Sequence, residues 1–117
     1  MAKGVTKIAD YGFCKDDSDI FGQIAQGPIT TYVSSYNDLW RNYAGGAITR
    51  YDDCDVFIYN HMVLIVGWKI VDGYEVFIVK NDWGEDWGDN GYAYVDTYRG
   101  NEKGVCGIKK APFYVVL

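Results

Sequence analysis

The 117-residue sequence predicts an α+β fold, mainly β, with one short N-terminal helix ahead of an antiparallel, partly closed, barrel-like sheet. Three observations point there. Fourteen glycines punctuate a chain rich in aromatic and β-branched residues, which is the composition of a turn-rich β protein. Asp72-Gly73 separates two long apolar runs, and an Asp-Gly pair is a strong hairpin signal because type I′ turns need positive φ at both central positions. The clearest apolar stripe at helical spacing, Ile20, Phe21, Ile24 and Ala25, lies ahead of the strand signals.

Residues 16–26 read as that helix, with Ser18 able to cap it and Gly27-Pro28 stopping it. Residues 29–34 alternate as a strand. Residues 37–43 make a helical turn that carries Leu39, Trp40 and Tyr43 inward, and Gly45-Gly46 is a sharp bend. A short edge strand is expected within 47–52, and the hairpin strands near 61–69 and 74–81. A glycine-punctuated loop with Trp83 and Trp87 follows, then a strand near 92–97, a polar turn at 100–104 and a last strand, expected at an edge, at 113–117. No internal repeat, linker or low-complexity segment divides the chain, so residues 1–117 are expected to form one domain.

Hydrophobic residues make up 49% of the chain and aromatics 17%, which argues against disorder. The net charge of −5 argues against a nucleic-acid partner. No apolar run is long enough to span a bilayer, so no membrane partner is expected, and no signal-peptide pattern follows Met1. The three cysteines, Cys14, Cys54 and Cys106, leave one thiol over or paired outside the chain. With one histidine and no Cys-x-x-Cys, neither a metal site nor a cofactor is expected.

That single histidine, His61, opens the first hairpin strand, and Asn81 closes the second. With Asp72-Gly73 as the turn, paired positions sum to about 145, which puts both residues near one end of adjacent strands. A carboxamide oxygen that accepts one ring N–H fixes the imidazole tautomer and leaves the other nitrogen for a reacting group. The same residues also fit plainer roles: a histidine at a strand end as an ordinary surface or core group, an asparagine before a turn as turn chemistry.

Several segments, taken in order, resemble the C-terminal half, the right domain, of papain-family cysteine proteases. They are Gly27-Pro28-Ile29, Tyr43-Ala44-Gly45-Gly46-Ala47-Ile48, Asn60-His61-Met62-Val63, Lys80-Asn81-Asp82-Trp83-Gly84, Trp87-Gly88-Asp89-Asn90-Gly91-Tyr92 and Gly104-Val105-Cys106-Gly107-Ile108. The likeness runs from about Lys3 to Leu117, and Tyr114-Val115-Val116-Leu117 is faintly similar to the mite group 1 allergens of that family.

The resemblance implies roles. His61 would be the general base toward a cysteine thiol and Asn81 its orienting partner. Trp83 would shield their hydrogen bond and line the cleft, strengthening the bond through low local dielectric. For Trp87, plain core packing is the preferred role. Ile29, Tyr59, Asn60, Met62 and Ala111 would join Trp83 in binding substrate, and Cys54 would pair with Cys106 in a disulfide. The compartment implied is secreted, lysosomal or vacuolar.

Departures from the family pattern matter as much. The family's nucleophile, in a Cys-Gly-x-Cys-Trp motif on the N-terminal domain, has no counterpart here, nor does that domain's oxyanion-hole glutamine. Asp82 stands where serine is commoner, and a carboxylate there favours the imidazolium. Met62 stands where a small residue borders the S2 pocket, and partly fills it. Triad members act as a unit, so the chain alone is expected to be inactive. It would supply the His and Asn half of a cysteine endopeptidase, with a Cys-bearing N-terminal domain and a peptide or protein substrate as partners. Removing that domain would expose a cleft face through which the chain could also form a homodimer. A non-catalytic pseudoprotease-like binding module or allergen domain is the alternative, and a generic β-rich interaction domain a third.

Overall fold

The computed structural model describes residues 10–34, 38–52, 54 and 61–116. Among them, strands β1 (Asp10–Phe13), β2 (Ile29–Val33), β3 (Ala47–Ile48), β4 (His61–Val71), β5 (Tyr74–Lys80), β6 (Tyr92–Asp96) and β7 (Phe113–Val116) form one sheet. Their order is β1-β7-β2-β4-β5-β6-β3. Helices α1 (Asp17–Ile24) and α2 (Asp38–Arg41) and a 3-10 turn at Val105–Gly107 complete the described elements. The fold is mainly β, as the composition predicts.

Asp72 and Gly73 both adopt positive φ, 55° and 82°, as a type I′ turn requires. The register follows the expected sum of 145 from Val71 opposite Tyr74 to Gly67 opposite Ile78. A bulge between Ile65 and Gly67 then shifts it by one, pairing Ile65 with Val79 and Leu64 with Lys80.

The helix is capped by Asp16 rather than Ser18: the Asp16 carboxylate accepts from the Asp19 N–H at 2.9 Å, while Ser18 lies inside the first turn. Ile20 and Ile24 are buried and Phe21 packs beside them, but Ala25 is the exposed C-cap. The expected edge strand at 47–52 shrinks to Ala47–Ile48, because Thr49–Asp52 closes a turn, the Asp52 N–H donating to the Thr49 carbonyl and the Thr49 N–H to the Asp52 carboxylate. β7 is not an edge. It lies between β2 and β1, and β1 itself escapes a propensity reading because Asp10-Tyr11-Gly12-Phe13 contains two poor strand formers.

The sheet is mixed and open where partial closure was expected. After β2 the chain crosses to the far edge and enters β3 parallel to β6, and the edges β1 and β3, four and two residues long, do not meet. One face carries the core. Ile29 and Val33 of β2, Val63 and Ile65 of β4, Phe77 and Val79 of β5, and Ala93 and Val95 of β6 pack against Ile20, Ile24, Trp40, Tyr43, Trp87 and Ile108. Thr31 joins this face because its hydroxyl reaches the Ile108 carbonyl at 2.6 Å. The opposite face turns Tyr11, Phe13, Met62, Leu64, Val66 and Val115 to solvent.

Two cross-links tie the C-terminal loop to the rest. Cys54 and Cys106 form a disulfide, 4.9 Å between Cα atoms, leaving Cys14 free. The buried Lys109 ammonium donates to Asp17 at 2.9 Å and to the Tyr98 carbonyl at 2.7 Å. Burial alone would raise the Asp17 carboxyl, but the Gly100 N–H and Lys109 outweigh it and hold it below the usual range.

Candidate active site

His61 is the first residue of β4, held against β2 by its register opposite Val33. Asn81 directly follows β5 and is anchored by its own N–H, which donates to the Gly91 carbonyl at 3.1 Å. The loop from 81 to 92 folds back on itself through glycines. Gly88 sits at φ 62°, and a Cβ there would lie 2.5 Å from the Tyr92 carbonyl oxygen, so only glycine closes this turn without distortion.

The two side chains meet. His61 Nε2 lies 2.6 Å from Asn81 Oδ1, which also accepts from the Asp82 N–H at 2.8 Å. An amide oxygen can only accept, so the proton of the neutral ring is on Nε2, and Nδ1 is the nitrogen with a free lone pair. The Trp83 indole covers the imidazole at 4.8 Å between centroids and 33° between planes, while remaining 40% exposed itself. Its edge rests on Trp87 at 5.5 Å. Trp87 is the core residue expected of it: buried, packed 5.2 Å from Trp40 and 5.4 Å from Tyr43, and donating Nε1–H to the Trp40 carbonyl at 3.0 Å. The Asp82 carboxylate approaches Nε2 to 3.7 Å.

The expected substrate-binding residues divide. Met62, next to His61, is 54% exposed and joins Thr30, Leu64, Lys80, Asn81, Asp82 and Glu85 around a groove of about 590 Å³. Ala111 lines a second hollow of about 350 Å³ with Tyr11, Phe13, Tyr32 and Phe113. Ile29 reaches neither and is corrected: at 1% exposure it lies in the core, because strand parity sends Ile29, Thr31 and Val33 to one face and Thr30 and Tyr32 to the other. Tyr32, opposite Met62 in the ladder, is the β2 residue that joins Ala111, and its parity within Ile-Thr-Thr-Tyr-Val was the available signal. Tyr59 and Asn60 lie outside the described residues.

No described thiol is a ready nucleophile. Cys54 and Cys106 are joined, and Cys14, ahead of α1, is pushed up to about 11 by partial burial and then by Asp19 and Asp16, which disfavours its thiolate.

Known proteins are similar to this chain in sequence and in fold. The family model of papain family cysteine proteases matches residues 2–116. A cysteine protease of Blomia tropicalis is 36% identical over 81 residues, covering 68% of this chain and 24% of that protein. Cysteine proteinase 2 of Entamoeba histolytica is 33% identical over 116 residues, covering 96% and 35%. Among solved structures, bromelain protease from Ananas comosus in complex with the E64 inhibitor superposes with a TM-score of 0.80 at 27% identity, covering 92% of this chain and 49% of that one. A structure from work on the mite allergens Blo t 1 and Der p 1 superposes with a TM-score of 0.77 at 32% identity, covering 92% and 34%. The chain spans about a quarter to a third of the length of the curated relatives it matches. With the match extending over nearly every residue, the chain belongs to the papain family of cysteine proteases.

Proposed function

We propose that this chain is the C-terminal domain of a papain-type endopeptidase and supplies its general base, His61, and the orienting Asn81. The observation that carries this is the 2.6 Å contact between His61 Nε2 and Asn81 Oδ1 under the Trp83 ring, which leaves Nδ1 as the working nitrogen. In the reaction Nδ1 takes the proton of a cysteine thiol on the N-terminal domain. The thiolate attacks the peptide carbonyl, and the imidazolium returns that proton to the leaving amine. Water, deprotonated by Nδ1, then hydrolyses the thioester. Asn81 keeps the ring in one tautomer through both proton transfers, and Trp83 keeps water from competing for Oδ1.

The cysteine-bearing domain docks on the outward sheet face, where Met62, Leu64, Tyr11 and Phe13 are exposed together. A second copy of this chain is the competing occupant. Peptide lies in the groove beside Met62, and the Cys54–Cys106 disulfide suits a secreted, lysosomal or vacuolar setting. One observation favours a second function, a non-catalytic binding module: the flexible Met62 side chain projects beside the base where substrate would approach.

The test mixes the 117-residue chain with the cysteine-bearing domain of a papain-family relative and follows a dipeptidyl fluorogenic substrate. Cleavage that needs both pieces and is abolished by thiol alkylation is the expected result. Cleavage by this chain alone would refute the assignment of the nucleophile to the other domain. Association without cleavage, unrelieved by Met62→Ala, would favour the binding module.

A further inference from the structure

Two acceptors address one nitrogen of His61. Asn81 Oδ1 is 2.6 Å from Nε2, and an Asp82 carboxylate oxygen is 3.7 Å from the same atom. The longer distance is that of an ion pair rather than a hydrogen bond. The two acceptors differ in freedom. Asn81 is buried and fixed by donors on its oxygen and by its own N–H. Asp82 is 81% exposed, so its carboxylate can rotate toward the ring. A movement of about 1 Å makes the contact a charge-assisted N–H···O⁻ bond, roughly twice as strong as a neutral one. Two other charges border the groove: Lys80 rests on the Tyr92 ring at 5.0 Å, and Glu85 lines the groove with Asp82. Among the described residues, Asp82 is the charged group within ion-pair range of His61.

We propose that Asp82 is a positioning residue of the base: a reserve orienting group that accepts the Nε2–H hydrogen bond whenever Asn81 releases it. The site then has two ways to hold one tautomer, a neutral amide in the resting state and a carboxylate when the amide is displaced. Asp82 acts through His61 and touches no reacting atom. Its catalytic value rests on His61 being the base, but its contact with His61 does not.

The test therefore has a structural and a kinetic arm, using Asn81→Ala, Asp82→Ala and the double variant. The chain holds a single histidine, so an imidazole N–H resonance, downfield of the amide and tryptophan indole signals in its proton spectrum, belongs to His61. The resonance is expected in the wild type and both single variants, and absent only from the double variant. Its loss in N81A, in a sample whose dispersed methyl signals show a folded core, overturns the proposal. In the two-domain assembly, N81A is expected to lower kcat about tenfold and D82A less than about threefold, while the double variant loses about a hundredfold or more. A double loss equal to the product of the singles overturns it too. Failure of the broader function appears differently, as a wild-type assembly without activity, in which case the proton spectrum alone decides the role of Asp82.

Discussion

Trp87→Ala is the perturbation that best tests how the core supports the site. The indole packs 5.2 Å from Trp40 and 5.4 Å from Tyr43, donates to the Trp40 carbonyl at 3.0 Å, and braces the Trp83 edge at 5.5 Å. Truncating a buried tryptophan to alanine costs about 3–5 kcal/mol, and the Trp40 carbonyl keeps only its longer bond from the Tyr43 N–H, at 3.3 Å. A domain of this length holds roughly 6–18 kcal/mol in total, so the variant should stay folded with a substantial part of its stability gone. With a urea m-value of roughly 2 kcal/mol/M, the midpoint should fall by about 1.5–2.5 M. Far-UV circular dichroism is the suitable probe, because the mutation itself alters tryptophan fluorescence. Trp87→Phe keeps most ring contacts and loses the donor, so its cost should be about 1–2 kcal/mol. The site should also respond: with Trp83 no longer braced, His61 should react faster with diethyl pyrocarbonate, and a single histidine makes that signal unambiguous. A W87A midpoint within about 0.3 M of wild type would refute the packing account. Unchanged His61 reactivity would break the proposed link from Trp87 through Trp83 to the base.

Four further outcomes follow from the fold. Phe77→Ala, at a fully buried position, should cost about 3–5 kcal/mol in urea unfolding. Leu64→Ser, on the exposed face, should cost less than about 1 kcal/mol in the free chain yet weaken binding of the cysteine-bearing domain. Asp17, Glu75 and Asp96 all titrate below their ordinary values in the folded chain: burial raises Asp17 and Asp96 but their partners outweigh it, and Arg99 chiefly lowers Glu75. Depressed carboxyls stabilise the fold above their unfolded values near pH 4 and lose that contribution as pH falls through the lower native ones. Melting temperature should thus drop steeply below about pH 4, and Lys109→Met should flatten the drop. Thiol titration of the unfolded, unreduced chain should find Cys14 alone, and reduction should cost about 4 kcal/mol by the chain-entropy account for a loop closed across 52 positions. Finding three thiols would refute the disulfide.

The parts of this fold that were legible in the sequence are those where one residue type has one physical use. Asp72-Gly73 demands positive φ twice and obtains it. Trp40, Tyr43 and Trp87 are too large to leave in solvent at these spacings, and all three are buried. Where a pattern permits two solutions, the sequence was silent. Met62–Val66 is a continuous apolar run, so either register buries apolar side chains, and nothing in it announces the bulge that moves Leu64 from Asn81 to Lys80. Thr31 reads as polar and outward until its hydroxyl finds the Ile108 carbonyl, 77 positions away. Ile29 looked suitable for a pocket by resemblance, but parity buries it and presents Tyr32 instead. For Thr31 the decisive partner is distant in sequence, whereas for Ile29 the parity of its own strand was the signal that the resemblance overrode.

The Asn81 carboxamide shows why its contact with His61 is directional as well as close. Its oxygen faces two donors, the imidazole Nε2–H and the Asp82 N–H. Rotating the amide by half a turn would set its NH₂ against both of them, so only one orientation is open. Among the described residues, that orientation leaves Asn81 Nδ2 buried without an acceptor. A sealed, unpaired donor costs about 1–3 kcal/mol, and a fold selected for stability alone would not keep it. Replacing Asn81 by a small apolar residue would remove the orphan donor, but it would also remove the resting acceptor of the His61 ring and leave its orientation to the exposed Asp82 carboxylate. The fold therefore tolerates a local loss of stability at the residue that, in the resting state, fixes which nitrogen of its single histidine is free to accept a proton.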